Sequence, residues 1–183
     1  EITEIIEKEL NRNGVTLLKS KAVVEFAGEN SYLRRAVLDS GETINADIAV
    51  VGAGLRPNSE LAKDAGIELG RTGAIKVNQR METSIPDIYA AGDCAEAYHL
   101  VLGRNVYIPL ATTANKQGRA AGENIAGGNA SFPGIVGTAI FKVFDPEVAR
   151  TGVTGKDAKA EGIEYASNII EHNTRAPSCP GVS

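Results

Sequence analysis

The residues best suited to chemistry stand at the end of the string Thr83-Ser84-Ile85-Pro86-Asp87-Ile88-Tyr89-Ala90-Ala91-Gly92-Asp93. Small residues there let a backbone pass close to a bulky ligand, and Gly92 can turn the chain where a side chain would be strained. Asp93 then offers a carboxylate suited to accepting a hydrogen bond from a sugar-like hydroxyl. An ordinary aspartate between strand and loop has the same local sequence, so those last residues alone leave both readings open. The second segment is Pro109-Leu110-Ala111-Thr112-Thr113-Ala114-Asn115-Lys116-Gln117-Gly118-Arg119-Ala120-Ala121-Gly122. A helix starting there exposes unpaired backbone N–H groups at a positive dipole end, which stabilises negative charge. Thr112 or Thr113 is the expected cap, and a surface helix with a plain threonine cap is the commoner use of such a sequence. The third segment is Gly52-Ala53-Gly54-Leu55-Arg56-Pro57-Asn58, where an apolar run enters a glycine turn and Gly54 can approach a ligand. It is no dinucleotide fingerprint, because Pro57 stands where the third glycine of G-x-G-x-x-G belongs.

The elements that must position these residues can be read from periodicity. Ile2, Ile5, Ile6 and Leu10 fall on one face of a helix over 3–13 that Gly14 would cap. Residues 15–26 read as a strand with an irregularity near 19–22. A second strand follows over 32–38, then a hairpin turn at Asp39-Ser40-Gly41-Glu42. The runs 46–51 and 87–91 read as short strands buried on both faces, with a helix over 59–65 and a strand over 75–77 between them. The helix that starts near Thr112 should run to Ile125 and stop at Gly127-Gly128. Strands are expected over 138–144, 147–151 and 164–171, and a helix over 155–161.

Composition narrows the class. The 183 residues are 43% apolar and 23% charged, with a formal net charge of −4. That charge offers no electrostatic footprint for nucleic acid or an anionic membrane surface, and no apolar run is long enough for a membrane span. Cys94 and Cys179 are too few and too far apart for a disulfide framework, which fits a reducing, cytoplasmic setting. His99 and His172 could be asked to join them around zinc, but the spacings match no common ligand pattern, so no metal site is expected. The chain opens inside a helix and stops in loop-like sequence, which reads as a piece of a longer protein.

Taken whole, the string ending in Asp93 resembles the second FAD-binding motif of the glutathione-reductase-like flavoproteins, the FAD-dependent pyridine nucleotide–disulfide oxidoreductases. The order of the three segments also resembles that family across essentially the whole chain. The resemblance implies an α/β fold in three parts: residues 1–58 as the second half of an NAD(P)-binding domain, 59–130 as the carboxy-terminal FAD segment, and 131–183 as an incomplete dimerisation domain. It implies that Asp93, with Gly92, meets the ribityl chain of FAD. Leu110, Ala111, Thr112 and Thr113 would present the helix start to the flavin ring, whose pyrimidine edge becomes negative on reduction. Asn115 would line the substrate side, unless it is simply a polar residue in solvent. Gly137-Thr138-Ala139-Ile140-Phe141-Lys142-Val143-Phe144-Asp145 and Val148-Ala149-Arg150-Thr151-Gly152 most resemble the NADH oxidase, NADH peroxidase and coenzyme A–disulfide reductase branch.

The expected parent is a homodimer that passes electrons from NAD(P)H through FAD to a disulfide, peroxide or oxygen. Neither diphosphate-binding G-x-G-x-x-G is present, nor is the segment that carries the family's redox cysteine, so no catalytic residue is assigned and the isolated chain should be inactive. Cys94 reads as a packed small apolar residue. Cys179 stands where the coenzyme A branch has aromatic residues, which puts that specific assignment in doubt. The alternatives are a non-catalytic interaction module with the same fold and a ferredoxin- or rubredoxin-reductase-like flavoprotein.

Overall fold

The computed structural model describes residues 2–172. Cys179 and the end of the chain lie outside the described residues. Helix α1 spans Ile2–Arg12, with Glu4 in its first turn and Arg12 in its last, each complementing the helix dipole. Its apolar stripe is only partly used: Ile6 and Leu10 are half-buried while Ile2 and Ile5 stay exposed. Gly14 follows with a positive φ of 75°, as a helix stop requires.

Three strands form an antiparallel meander: β1 (Val23–Glu29), β2 (Tyr32–Leu38) and β3 (Thr43–Asn45). The turn into β3 is the expected one, with Gly41 N–H donating to the Leu38 carbonyl and φ of 81° at Gly41. Two sequence expectations fail here. Residues 15–22 are not strand; the chain passes through Ser20 at φ 56°, a left-handed kink that ends pairing before Val23. The run 46–51 is not strand either, and Ile48, Val50 and Val51 are 83%, 93% and 71% exposed. A strand exists only through its partner, and the meander ends at Asn45 without offering these residues a neighbour.

The body that carries the site begins at α2 (Glu60–Asp64), preceded by Ser59, whose hydroxyl donates to the Gly73 carbonyl at 2.6 Å. The hairpin β4 (Ala97–His99) and β5 (Arg104–Val106) and the long helix α3 (Ala111–Ile125) complete it. Three small cores fuse into one. Ala62, Ile67 and Ile75 meet Met81, Ala120 and Ala121 through Val77, and Phe132 joins that group to Ala97, Val106 and Ile135. The expected strands over 75–77 and 87–91 shrink to isolated bridges, Ile75 with Leu69 and Ala95, and Tyr89 with Glu82. At the second, Asp87 takes a φ of 63°, incompatible with a continuous extended run.

The last block holds the antiparallel pair β6 (Ala139–Lys142) and β7 (Glu147–Arg150), then α4 (Gly155–Ala160). Thr154 caps α4 by accepting from the Asp157 N–H, and its hydroxyl donates to the Asp157 carboxylate, holding that group below the usual carboxylate range. Residues 164–171 do not form the expected strand, and Ile169 and Ile170 are 71% and 77% exposed. As at 46–51, β-prone residues without a neighbouring edge stay unpaired.

Candidate functional site

Asp93 sits at the tip of a tight turn. Gly92 precedes it at φ 83°, a conformation a side chain would strain, and the Gly92 carbonyl accepts from Ala95 N–H at 2.9 Å to close the turn. The Asp93 side chain is exposed, and its carboxylate makes no hydrogen bond or ion pair among the described residues. The phenol of Tyr107 feels it, since burial first and then the charge of Asp93 push that phenol above its ordinary value. Cys94 donates weakly to the Ala91 carbonyl at 3.5 Å and packs against Ala62, Ile67 and Ile75, as a small apolar residue would.

Helix α3 starts one residue before the threonines. Leu110, extended at φ −143° and ψ 131°, occupies the capping position without a side-chain hydrogen bond, so neither Thr112 nor Thr113 is the cap. Thr113 is buried and its N–H, with that of Ala114, turns back to the Leu110 carbonyl at 2.9 Å. The amides of Ala111 and Thr112 find no acceptor among the described residues and remain open at the positive end of a fifteen-residue helix. Asn115 is exposed. A cavity of about 170 Å³ lies behind this first turn, lined by Leu110, Thr112, Thr113, Lys116 and residues 134–138; Asp93 does not line it.

The Asp93 turn and α3 touch. A Cβ built on Gly92 would stand 3.5 Å from the Ala114 Cβ, an ordinary contact that leaves little spare room. Gln117, one turn further along α3, is 1% exposed, and its Oε1 accepts from Gly92 N–H at 2.9 Å while its Nε2 donates to the Glu96 carbonyl at 3.1 Å. Sequence reasoning passed over Gln117. The available signal was its place on the stripe shared by Thr113, Ala120, Ala121 and Asn124, where a long polar side chain must find partners inside the fold. Gly54 behaves differently. It has a positive φ of 96°, but nothing stands within 4 Å of where its Cβ would be, so the structure does not bring it against the other two segments.

His99 is a buried core histidine, and among the described residues no cluster of three or more His, Cys, Asp or Glu is placed to hold an ion. The ring is 2% exposed, and its Nδ1 accepts from the N–H groups of Val101 and Leu102 at 3.2 Å, which puts the proton of the neutral ring on Nε2. Burial, and then the Arg104 charge, lower its pKa. A depressed histidine contributes stability that is complete above the free value of about 6.5 and is lost as pH falls through the folded value. An NMR titration should therefore place the His99 inflection below that of free imidazole. An inflection at or above the free value would contradict the two-amide arrangement.

With an acceptor at Asp93 and open donors at Ala111 and Thr112 on touching segments, the arrangement suits a ligand with both hydroxyl and anionic or carbonyl groups. FAD has both, and the residues present fit it. Comparison with known proteins identifies the family. The pyridine nucleotide-disulphide oxidoreductase family matches residues 1–118. The chain is 41% identical over 181 residues to the NAD(P)H coenzyme A polysulfide/persulfide reductase of Pyrococcus horikoshii, covering 99% of the chain and 40% of that protein. It is 37% identical to the NADH oxidase of Methanocaldococcus jannaschii, with the same two coverages. The solved NAD-dependent persulfide reductase from A. fulgidus superposes on all of the chain with a TM-score of 0.93 at 43% identity, over 34% of its own length. The chain thus spans about 40% of the length of the curated relatives it matches. Over that span, sequence and fold agree: the chain belongs to the pyridine nucleotide-disulphide oxidoreductase family.

Proposed function

We propose that this chain is the carboxy-proximal part of an NAD(P)H-dependent flavoprotein oxidoreductase and supplies half of its FAD site. The observation that carries the reading is the contact between two segments with complementary open groups, the unpartnered Asp93 carboxylate and the uncapped start of α3. Asp93 would accept from a ribityl hydroxyl, and the amides of Ala111 and Thr112 would hold the electron-rich edge of the ring. Bound FAD would supply the redox chemistry of hydride and electron transfer. The chain itself binds and orients: Gly92 sets the carboxylate, α3 offers a positive end that favours the reduced form, and Thr113 anchors that end in the core. Residues 1–58 belong on this reading to the NAD(P) domain, 59–130 to the FAD domain and 131–183 to a dimerisation domain. The full-length protein is then a cytoplasmic homodimer.

The names of the relatives favour a sulfur acceptor such as a coenzyme A polysulfide or persulfide, with oxygen as the second reading. Purification of the full-length protein tests the assignment. It should carry a flavin spectrum that NADH or NADPH bleaches without oxygen, and a protein free of flavin and unable to take it up would end the proposal. The isolated 183-residue chain should show no NAD(P)H turnover with added FAD, because it contains no G-x-G-x-x-G loop for either diphosphate. Turnover above background in flavin-supplemented assays of that chain would refute this.

A further inference from the structure

We infer that Gln117 is the positioning residue of the FAD site, fixing the Asp93 turn against the start of α3; this rests on the flavin reading above. Its two hydrogen bonds go to the first and last residues of one turn. Oε1 takes the Gly92 N–H and Nε2 gives to the Glu96 carbonyl, so a single side-chain amide closes residues 92–96 from the helix side. From the opposite side the same turn is held to Ile75, whose N–H donates to the Cys94 carbonyl at 2.8 Å and whose carbonyl accepts from Glu96 N–H at 2.9 Å. Asp93 is the exposed residue between these two sets of bonds. Among the described residues Gln117 makes the side-chain hydrogen bonds between this turn and α3, while the nearby Ala114 offers only an apolar, non-directional methyl.

The consequence is geometric. One ligand must meet the Asp93 carboxylate and the open amides of Ala111 and Thr112 together, so affinity depends on the distance between two segments separated in sequence. An amide is the side chain that suits the position, because it both accepts and donates in one plane. A hydrophobic residue of the same length would orphan a half-buried N–H and a buried carbonyl. A carboxylate would keep the first bond and set oxygen against oxygen at the second. Asn124 provides the internal comparison. It is equally buried on the same helix face, but its bonds go to the Arg80 carbonyl and to Ala130, away from the Asp93 turn.

The test uses the full-length protein and measures FAD affinity of the apoprotein and the visible circular dichroism of the bound flavin. Gln117→Met should raise the FAD Kd tenfold or more and alter the flavin dichroism, whereas Asn124→Ala should lower the melting temperature and leave both unchanged. In Gln117→Glu the buried carboxyl has a raised pKa, and its protonated form restores the lost donor. Its FAD affinity, compared with wild type at the same pH, should therefore approach wild type at low pH and fall below it as pH rises. This titration decides the question within one protein if the methionine variant does not fold. Wild-type affinity and dichroism in Gln117→Met, or a loss in Asn124→Ala as large as in Gln117→Met, or a pH-independent Gln117→Glu, would overturn the inference while leaving the flavin site standing. A wild-type protein that never binds FAD would instead remove the reading on which it rests.

Discussion

Replacing Asp93 by alanine in the full-length flavoprotein should raise the FAD Kd by roughly ten- to a hundredfold. The carboxylate is exposed and makes no bond among the described residues, so the fold has no use for it. A hydrogen bond to a charged group is worth about 1.5–3 kcal/mol, and each 1.4 kcal/mol is a factor of ten. Asp93→Asn keeps an acceptor and loses the charge, so it should fall between alanine and wild type. Because the side chain supports nothing else, the melting temperature of the apoprotein should hardly move in either variant. Titration of apoprotein with FAD beside apoprotein melting curves separates the two effects. An alanine variant that binds FAD as tightly as wild type would remove Asp93 from the site.

Met81→Ala should show the opposite signature, a large loss of stability whose effect on FAD comes only through the fold. Met81 is 2% exposed at the centre of the middle core, against Ala120 and Ala121 of α3, with Val77, Tyr89, Ala91 and Phe132 around it. Its neighbours on the helix are alanines, which cannot extend into the space left behind. Truncating a buried methionine costs about 2–5 kcal/mol, the upper part of the range applying where the cavity persists. For a chain of this size each kcal/mol lowers the melting temperature by about 2–4 °C. Met81→Leu conserves volume and should cost less than about 1.5 kcal/mol. Met81 also holds a φ of 65°, which alanine and leucine must equally adopt, so comparing these two variants isolates packing from backbone strain. Equal melting temperatures for the two would show that the site is not packed as described.

Much of the local structure was legible before the fold was known. Strand β2 begins and ends where its pattern says, and the 39–42 turn is made by the glycine that the sequence offers for it. Helices α2, α3 and α4 fall within a residue or two of their expected bounds. Helices close their own hydrogen bonds and a hairpin pairs with its sequence neighbour, so local residues suffice. The runs 46–51, 87–91 and 164–171 carry strand-like sequence yet form no strand, for the complementary reason. Val, Ile and Tyr in series express a preference for pairing, but a ladder needs an edge supplied from elsewhere, and composition does not report whether one is at hand.

The sequence by itself determined the chemistry available. It set a carboxylate after a glycine at Asp93 and a run of small residues opening α3, and their order along the chain carried the family resemblance that the comparisons show. Tertiary structure alone decided how those groups are used. It made Leu110 rather than a threonine the helix cap, left Gly54 in open space, and turned Gln117 inward to join two segments separated in sequence. The reason is the range of the forces. A residue's charge, size and backbone freedom are local properties. Which buried donor meets which acceptor depends on packing across the whole core, where an unpaired polar group costs too much to be left to chance.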